Sequence, residues 1–269
     1  MTGSPPRHLW AIMPAHGEAP DRALLAEVLR HVAGLVVVDD GSDEPVASEL
    51  AELAELAAIV VRLPERRGKG AALRAGLGAV RELAPSTDAV LTIDADGQHP
   101  AGAIPAFVAA ASTAELVIGD RFDDLGAMPW PRRLANRASR RLLALSTGYS
   151  VRDTQCGMRL LRGRALELPL EGDGYEAETR HLKAALENDL DVAWVPIPAI
   201  YGDEQSSFRA LRDSARVLAA LVRPSERRTP SPTRWPRLRG FRRRRPTSSA
   251  LRGRPARAPR EPQSEALAP

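Results

Sequence analysis

The sequence predicts an α/β protein whose mostly parallel, open sheet is flanked by helices. Short aliphatic segments recur along the first half of the chain, and each ends in a polar or glycine-rich turn, a pattern typical of buried strands. Amphipathic stretches separate these segments, and such alternation is typical of a parallel sheet covered on both faces. With 269 residues and 43% apolar composition, the chain has enough apolar surface for a large core.

Each predicted element follows from its own pattern. Strands are predicted at residues 9–13, 35–38, 58–63, 89–93 and 115–118. Helices are predicted between them at residues 21–32, 49–57 and 69–83. In the first helix the apolar residues recur at helical spacing and share one face: Leu24, Leu25, Val28, Leu29 and Val32.

The second half of the domain is less regular. Further helices are predicted at residues 132–146, 176–190 and 208–222. Residues 192–200 predict a strand, and Pro196 and Pro198 make it irregular or place it at the sheet edge, because proline cannot donate to a strand ladder. We therefore assign one domain to residues 9–222.

The remaining residues, 223–269, are predicted to form a disordered basic tail. From residue 221 onward the chain has 14 Arg and 3 Glu, whereas the preceding part has 24 basic and 31 acidic residues. Nine of the 23 prolines lie from Pro224 onward, with few aliphatic residues to form a core. Because only the tail is strongly basic, we expect contact with an anionic membrane surface and no nucleic acid as a physiological partner.

The same composition predicts a cytoplasmic location, with peripheral contact at the inner face of the membrane. The single cysteine, Cys156, cannot form an internal disulfide, which suits a reducing compartment. Uninterrupted apolar runs are shorter than the roughly 20 residues of a membrane span. Five arginines of the helix at 132–146 have two interpretations, a solvated face or contact with anionic lipid: Arg132, Arg133, Arg137, Arg140 and Arg141.

The most informative motif is the metal turn, defined as residues 94–98, which directly follows a predicted strand. Ligands of open α/β sheets bind at the carboxyl ends of strands. There Asp94 and Asp96 can address one divalent cation, with Gln98 as a neutral oxygen ligand. The alternative is a polar turn whose aspartates cap the next helix, and spacing alone does not separate the two.

A second acidic turn, residues 38–42, follows the second predicted strand. Asp40 can accept hydrogen bonds from a nucleobase or ribose edge. Asp39 and Ser42 are equally suited to a tight turn or a helix cap, so the motif alone does not indicate a ligand site. It does so only together with the metal turn.

A glycine-rich turn opens the helix predicted at residues 69–83. Its glycines permit close backbone approach, and the helix N-terminus and Lys69 favour anions. The spacing is not that of a Walker loop, and glycines that serve close helix packing are an equal alternative to phosphate contact.

These motifs occur in an order that resembles the catalytic domain of family 2 glycosyltransferases, the inverting enzymes with a GT-A fold that use nucleotide sugars. The resemblance covers residues 9–220 and is greatest to the branch of dolichyl- and polyprenyl-phosphate sugar synthases. Its matching positions are Pro14, His16, Glu18, Val38, Asp40, Asp94, Ala95, Asp96, Gln98, Arg121, Glu176 and Glu178, together with the segment 153–159.

The resemblance implies a role for each matching residue. The residues expected to bind the nucleotide sugar are Pro14, His16 (where tyrosine is usual), Glu18, Val38, Asp40, Asp94, Ala95 and Asp96. Lys69, in the glycine-rich turn, adds positive charge. It further implies Mg²⁺ or Mn²⁺ on Asp94, Asp96 and Gln98, and a GDP- or UDP-linked donor. Arg121 would contact phosphate. A lipid-phosphate acceptor needs no base, whereas a hydroxyl acceptor would need Glu178 or Glu176.

One departure from the family pattern weakens the lipid-phosphate assignment. Members that use polyprenyl phosphate place an Arg and a Ser-Lys pair after the late strand. Here Phe208 stands at the Lys position and the upstream Arg is missing, although Arg209 is adjacent.

Two rival functions use similar features. A non-catalytic GT-A-like module tethered by its tail would not need all the carboxylates that bind the nucleotide sugar and its cation. All of them are present, which argues against such a module. A sugar nucleotidyltransferase needs an N-terminal glycine-rich triphosphate loop, and residues 14–20 offer only Gly17.

Overall fold

The computed structural model describes residues 4–56, 58–121, 130–198 and 200. In chain order its elements are β1 (Leu9–Ala15), α1 (Arg22–Leu29), β2 (Gly34–Asp39), α2 (Val46–Glu52), β3 (Ile59–Arg62), α3 (Lys69–Leu83), β4 (Ala89–Thr92), α4 (Ile104–Ala110), β5 (Leu116–Asp120), α5 (Trp130–Thr147), β6 (Arg159–Arg162), α6 (Arg164–Glu167), α7 (Glu176–Glu187) and β7 (Val192–Pro196). Short 3₁₀ turns at Leu53–Leu56 and Ala101–Ala103 follow α2 and precede α4.

The strands form one mixed sheet in the order β3-β2-β1-β4-β6-β5-β7. Strands β1, β2, β3 and β4 pair in parallel, as do β5 and β7, and β6 runs antiparallel between β4 and β5. The carboxyl ends of β1, β2 and β4 therefore meet at one edge, which is where ligands bind in open α/β sheets. The predicted α/β class is confirmed.

Side chains of β1 divide between two apolar layers because successive residues of a strand point to opposite faces. Ile12 packs with the α3 residues Leu73 and Leu77 on one face. Ala11 and Met13 belong to the larger cluster on the other face, which includes residues of α1 and α4. All six residues of β2 are buried, which accounts for the apolar run Gly34–Val38 that precedes its last residue, Asp39.

The predicted elements that lie in the described part of the chain are present. The helix predicted at residues 69–83 has the observed bounds of α3, and the strand predicted at 192–200 is the edge strand β7, which ends at Pro196. Strand β6 and helices α4 and α6 were not predicted. The predicted helix 208–222 and the tail 223–269 lie outside the described residues.

Within the described residues, no helix is both long enough and apolar enough to cross a bilayer.

Candidate active site

The metal turn lies at the end of β4, on the edge of the sheet where the parallel strands terminate. Within it, the Gln98 backbone N–H donates to Asp96 Oδ1 at 3.0 Å. Asp94 points away from this bond, toward the first residue of α3. The turn therefore has its own local hydrogen bond, but neither aspartate caps the following 3₁₀ turn or α4, contrary to what the structural alternative predicted.

Lys69, the first residue of α3, joins the metal turn to α7. Its Nζ lies 2.6 Å from Asp94 Oδ1 and 3.2 Å from Glu178 Oε1, and 5.6 Å from the centre of the Tyr175 ring. Burial favours the neutral amine, but the two carboxylates outweigh it and raise the pKa of Lys69 above its ordinary value. Lys69 is thus a buried ammonium shared by two acidic groups.

The glycines around Lys69 bring α3 against the loop that precedes α7. The N–H groups of Gly70 and Ala71 donate to the Asp173 carbonyl at 2.8 and 3.4 Å. A Cβ on Gly70 would lie 2.4 Å from the Gly172 carbonyl oxygen, so only glycine allows this approach. Gly68 has φ of 103°, a left-handed conformation that also favours glycine. Close packing, one of the two interpretations, therefore accounts for the glycines.

The Asp40 carboxylate organises the turn at the end of β2. It accepts hydrogen bonds from the N–H groups of Arg67 and Gly68, both at 2.7 Å. The Asp40 carbonyl bonds His16 Nδ1 at 2.9 Å, which ties the end of β1 to the same turn. Asp40 is 4% exposed, so a nucleobase would reach it only beside these partners.

The other residues predicted to bind the nucleotide sugar lie around this turn. Pro14 and Val38 are paired across the β1–β2 ladder. Glu18 is exposed, and its charge adds to those that raise the pKa of Asp96. Ala95 is buried within the metal turn.

The segment 153–159 forms the wall behind Asp94. Its Gly157 is essential to the packing, because a Cβ there would lie 2.2 Å from Asp94 Oδ2. Arg159 is buried and donates to the carbonyls of Cys156, Thr154 and Glu178, so it fixes this segment against α7. The sequence motif identified these residues, but nothing local in it shows these contacts.

Arg121 lies at the end of β5 and is held by a buried carboxylate. Its Nε and Nη2 donate to the two oxygens of Asp153 at 2.8 and 3.2 Å. Its neighbour Asp120 pairs in the same way with Arg152, at 2.5 Å. Arg121 is close enough to Asp94 to help lower the pKa of that carboxyl, so it contributes positive charge at the site.

His99 and Cys156 form a buried contact that sequence reasoning missed. The Cys156 Sγ lies 3.6 Å from His99 Nε2, and His99 Nδ1 lies 3.7 Å from Asp94 Oδ2. Burial lowers the pKa of His99 to about 4 and raises the pKa of Cys156 to about 12. Because burial raises the pKa of its thiol and the contact with His99 is enclosed, Cys156 packs as a small apolar residue and has no features of a nucleophile.

The two acidic residues at the N-terminus of α7 differ in their contacts. Glu178 is 3% exposed and paired with Lys69, and burial raises its pKa. Glu176 instead accepts the N–H of Gly174 at 3.1 Å, within its own loop. The structure thus brings Asp94, Lys69 and Glu178 together and leaves Glu176 outside that cluster.

The donor set of the metal turn fits a hard divalent cation. Burial and the neighbouring Asp94 charge raise the pKa of Asp96 to about 6. Among the described residues, Asp96 forms no ion pair with a basic side chain, and the nearby charge of Lys69 offsets its raised pKa only in part. No group of three or more His, Cys, Asp or Glu in that part of the chain could hold a metal ion. The turn itself offers the carboxylates of Asp94 and Asp96 and the amide of Gln98, which are hard oxygen ligands of the kind that Mg²⁺ or Mn²⁺ binds.

Comparison with known proteins gives matches over most of the domain. The pattern of the family described as "Glycosyl transferase family 2" matches residues 10–168. The UDP-N-acetylglucosamine–dolichyl-phosphate N-acetylglucosaminyltransferase of Methanococcus voltae is 27% identical over 220 residues, which cover 72% of this chain and 86% of that protein. The undecaprenyl-phosphate 4-deoxy-4-formamido-L-arabinose transferase of Pseudomonas paraeruginosa is 30% identical over 201 residues, covering 65% of this chain and 56% of that protein.

A solved structure shares the fold. Glucosyl-3-phosphoglycerate synthase from Mycobacterium tuberculosis, in complex with Mn²⁺, UDP and glucosyl-3-phosphoglycerate, superposes with a TM-score of 0.61 at 23% identity. The match covers 80% of this chain and 78% of that one. This likeness confirms the predicted GT-A arrangement of sheet and helices.

Proposed function

The chain belongs to glycosyl transferase family 2, and we propose that it transfers a sugar, with inversion, from a nucleoside diphosphate sugar to a lipid-linked or other membrane-proximal acceptor. One observation carries this proposal: Asp94 is fixed by Lys69, while Asp96, two residues away, forms no ion pair among the described residues and has a raised pKa. A carboxylate left in this state at the carboxyl end of a parallel strand is suited to a cation that travels with the donor diphosphate.

Donor binding divides among three turns. The carboxylate of Asp40 holds the backbone on which a nucleobase would rest, and His16 is placed beside it. Asp94, Asp96 and Gln98 would hold Mg²⁺ or Mn²⁺, which stabilises the negative charge that develops on the leaving diphosphate. Arg121 adds a fixed positive charge near the same carboxylates.

The acceptor side favours a group that is already anionic. A hydroxyl acceptor needs a carboxylate to take its proton, and neither of the two acidic residues at the N-terminus of α7 is unengaged. Glu178 is buried in its ion pair with Lys69, and Glu176 bonds its own loop. A polyprenyl phosphate oxygen attacks the anomeric carbon directly: the new carbon–oxygen bond forms as the bond to the diphosphate breaks, and no proton is transferred.

The names of the relatives support the same class of substrates. The Methanococcus voltae relative is named for a UDP-linked sugar and dolichyl phosphate, and the Pseudomonas paraeruginosa relative for undecaprenyl phosphate. We therefore place uridine nucleotides first among the donors and polyprenyl phosphates first among the acceptors, with GDP-linked sugars as the comparison.

The donor assignment is tested by thermal unfolding with a panel of UDP- and GDP-sugars, each with Mn²⁺, with Mg²⁺ and with a chelator. A true donor at about 100 times its Kd should stabilise the fold by about 2.7 kcal/mol. The stabilisation should require the cation and should be lost in Asp96→Asn. If no nucleotide sugar stabilises the protein in any cation, the donor assignment is wrong.

Turnover separates the proposal from its rivals. With cation, the transferase should slowly hydrolyse its donor and should transfer the sugar to added polyprenyl phosphate. A non-catalytic module would bind the donor without hydrolysis. A nucleotidyltransferase would release pyrophosphate from a nucleoside triphosphate and a sugar 1-phosphate.

A further inference from the structure

Helix α5 exposes a narrow stripe in which leucines and arginines share one face. The stripe consists of Leu134, Arg137, Arg141 and Leu145, which are all exposed and recur at helical spacing over about 16 Å. Leu134 is 60% and Leu145 84% exposed. Four large apolar side chains are exposed in the described part of the chain, and this one helix has two of them.

The opposite face of α5 secures the helix to the domain. Leu143 is fully buried in the core, and Ser139 is 1% exposed. Arg140 belongs to this anchoring side, because its Nε donates to the Val151 carbonyl at 2.8 Å. The helix is thus held with the stripe facing outward, and the arginines of α5 are not equivalent.

Within the part of the chain that the structure describes, the charge of the stripe is local and unpaired. Helix α5 contains no acidic residue among its 18 residues, although the chain before residue 221 has an excess of acidic side chains. Among the described residues, neither Arg137 nor Arg141 forms an ion pair. Leucines that share one helical face with arginines are typical of a helix that lies in a membrane interface.

We propose that the stripe of α5 docks the protein onto an anionic lipid bilayer, with the helix lying in the plane of the interface. The leucines enter the boundary between headgroups and acyl chains, and the arginines contact lipid phosphates. The inference rests on the geometry of α5 and does not depend on the reaction proposed above. Helix α5 packs against α7, the helix that bears Glu178.

A single labelled cysteine tests this contact in the full-length chain, tail included. Cys156 is fully buried and its thiol has a raised pKa, so Leu145→Cys offers one reactive thiol for an environment-sensitive fluorophore. Leu83→Cys, at an exposed leucine on α3, is the matched control. The probes are vesicles of phosphatidylcholine alone and of phosphatidylcholine with phosphatidylglycerol.

With phosphatidylglycerol present, the fluorophore at position 145 should shift to the blue and be quenched by brominated acyl chains, whereas that at position 83 should not. Arg137→Gln/Arg141→Gln should lower the partition coefficient about 25-fold, roughly fivefold for each arginine. The pair Arg22→Gln/Arg30→Gln removes equal charge from exposed sites on and just after α1 and should change it little.

Several results would overturn the proposal. Flotation of the protein with vesicles while position 145 stays in water would assign binding to another segment. Equal signals at positions 145 and 83, or no binding to anionic vesicles, would also reject it. A spectral shift that appears with protein concentration alone, or with an acidic polymer and no lipid, would show a protein or polyanion contact instead.

Discussion

Replacement of Lys69 by methionine tests the central ion-pair cluster of the site. Methionine keeps the length and apolar stem of the side chain and removes only the ammonium. The side chains of Lys69 and Glu178 are 11% and 4% exposed, and that of Asp94 is 22% exposed. Removing one partner of a buried ion pair costs about 3–5 kcal/mol, because the remaining charge is left uncompensated.

We expect Lys69→Met to lower the free energy of unfolding by about 3 kcal/mol, at the lower end of that range, since water can reach Asp94. Urea-induced unfolding followed by circular dichroism near neutral pH measures this loss. Arg22→Met is the control, because its pair with Glu52 at 3.6 Å is exposed on both sides. Exposed pairs contribute at most about 1 kcal/mol.

The double variant Lys69→Met/Glu178→Gln identifies the cause of the loss. Once the ammonium is gone, neutralising Glu178 removes a buried charge that has no partner. The double variant should therefore be more stable than the sum of the two single effects predicts, with a coupling of about 1–3 kcal/mol. Additive effects, or a Lys69→Met variant as stable as Arg22→Met, would refute the reasoning.

Four further predictions follow from individual contacts. Asp96→Asn should abolish cation-dependent turnover while changing stability by less than about 1 kcal/mol, since the residue lies on a turn outside the core; near-normal transfer rates would contradict this. Asp40→Asn should weaken nucleotide binding, measured by calorimetry, by about 1–3 kcal/mol, because an amide cannot accept both backbone N–H groups. Gly157→Ala should destabilise the fold by about 1–3 kcal/mol in urea, since its Cβ would meet a carboxylate oxygen at 2.2 Å, whereas Gly102→Ala has open space and should be neutral. Burial lowers the pKa of His181 from 6.5 to about 4, so the unfolded chain binds the proton more tightly than the folded one. The contribution of His181 to the free energy of unfolding is complete above pH 6.5 and falls by up to about 3 kcal/mol as the pH is lowered to 4. His181→Gln should flatten this slope when unfolding is measured against pH.

The sequence predicted best what depends on local pattern. Helix α3 was predicted with its observed bounds because a glycine turn precedes it and its apolar face is regular. Strand β6 could not be predicted in this way, because it has four residues with an arginine at each end. Arg159 is buried there only because three carbonyls from other parts of the chain accept its N–H groups, and no local pattern records that.

The same limit applied to the candidate site. The metal turn follows β4 and the acidic turn at residues 38–42 follows β2, so both lie at the carboxyl ends of parallel strands. This shared position was predictable, because the alternation of strands and helices predicts a parallel sheet. The partners of Lys69 were not, because the contact with Glu178 depends on how α7 packs against α3. Phosphate contact and close helix packing predict the same residues in the glycine turn. The Asp173 carbonyl accepts N–H groups at the N-terminus of α3, which favours packing.

The charges of the cluster explain why donor and cation should bind together. Among the described residues, the carboxylates Asp94, Asp96, Asp153 and Glu178 outnumber the cations Lys69, Arg121 and Arg159 that act on them, and burial lowers the pKa of His99 to about 4. A nucleoside diphosphate is itself anionic, so it would enter a site with an excess of carboxylates against electrostatic repulsion. A divalent cation reverses that repulsion for the diphosphate, and by linkage the diphosphate must raise the affinity for the cation to the same extent. Lys69 neutralises the part of the cluster that faces α7. Asp96 therefore remains available to bind a cation that arrives from solvent.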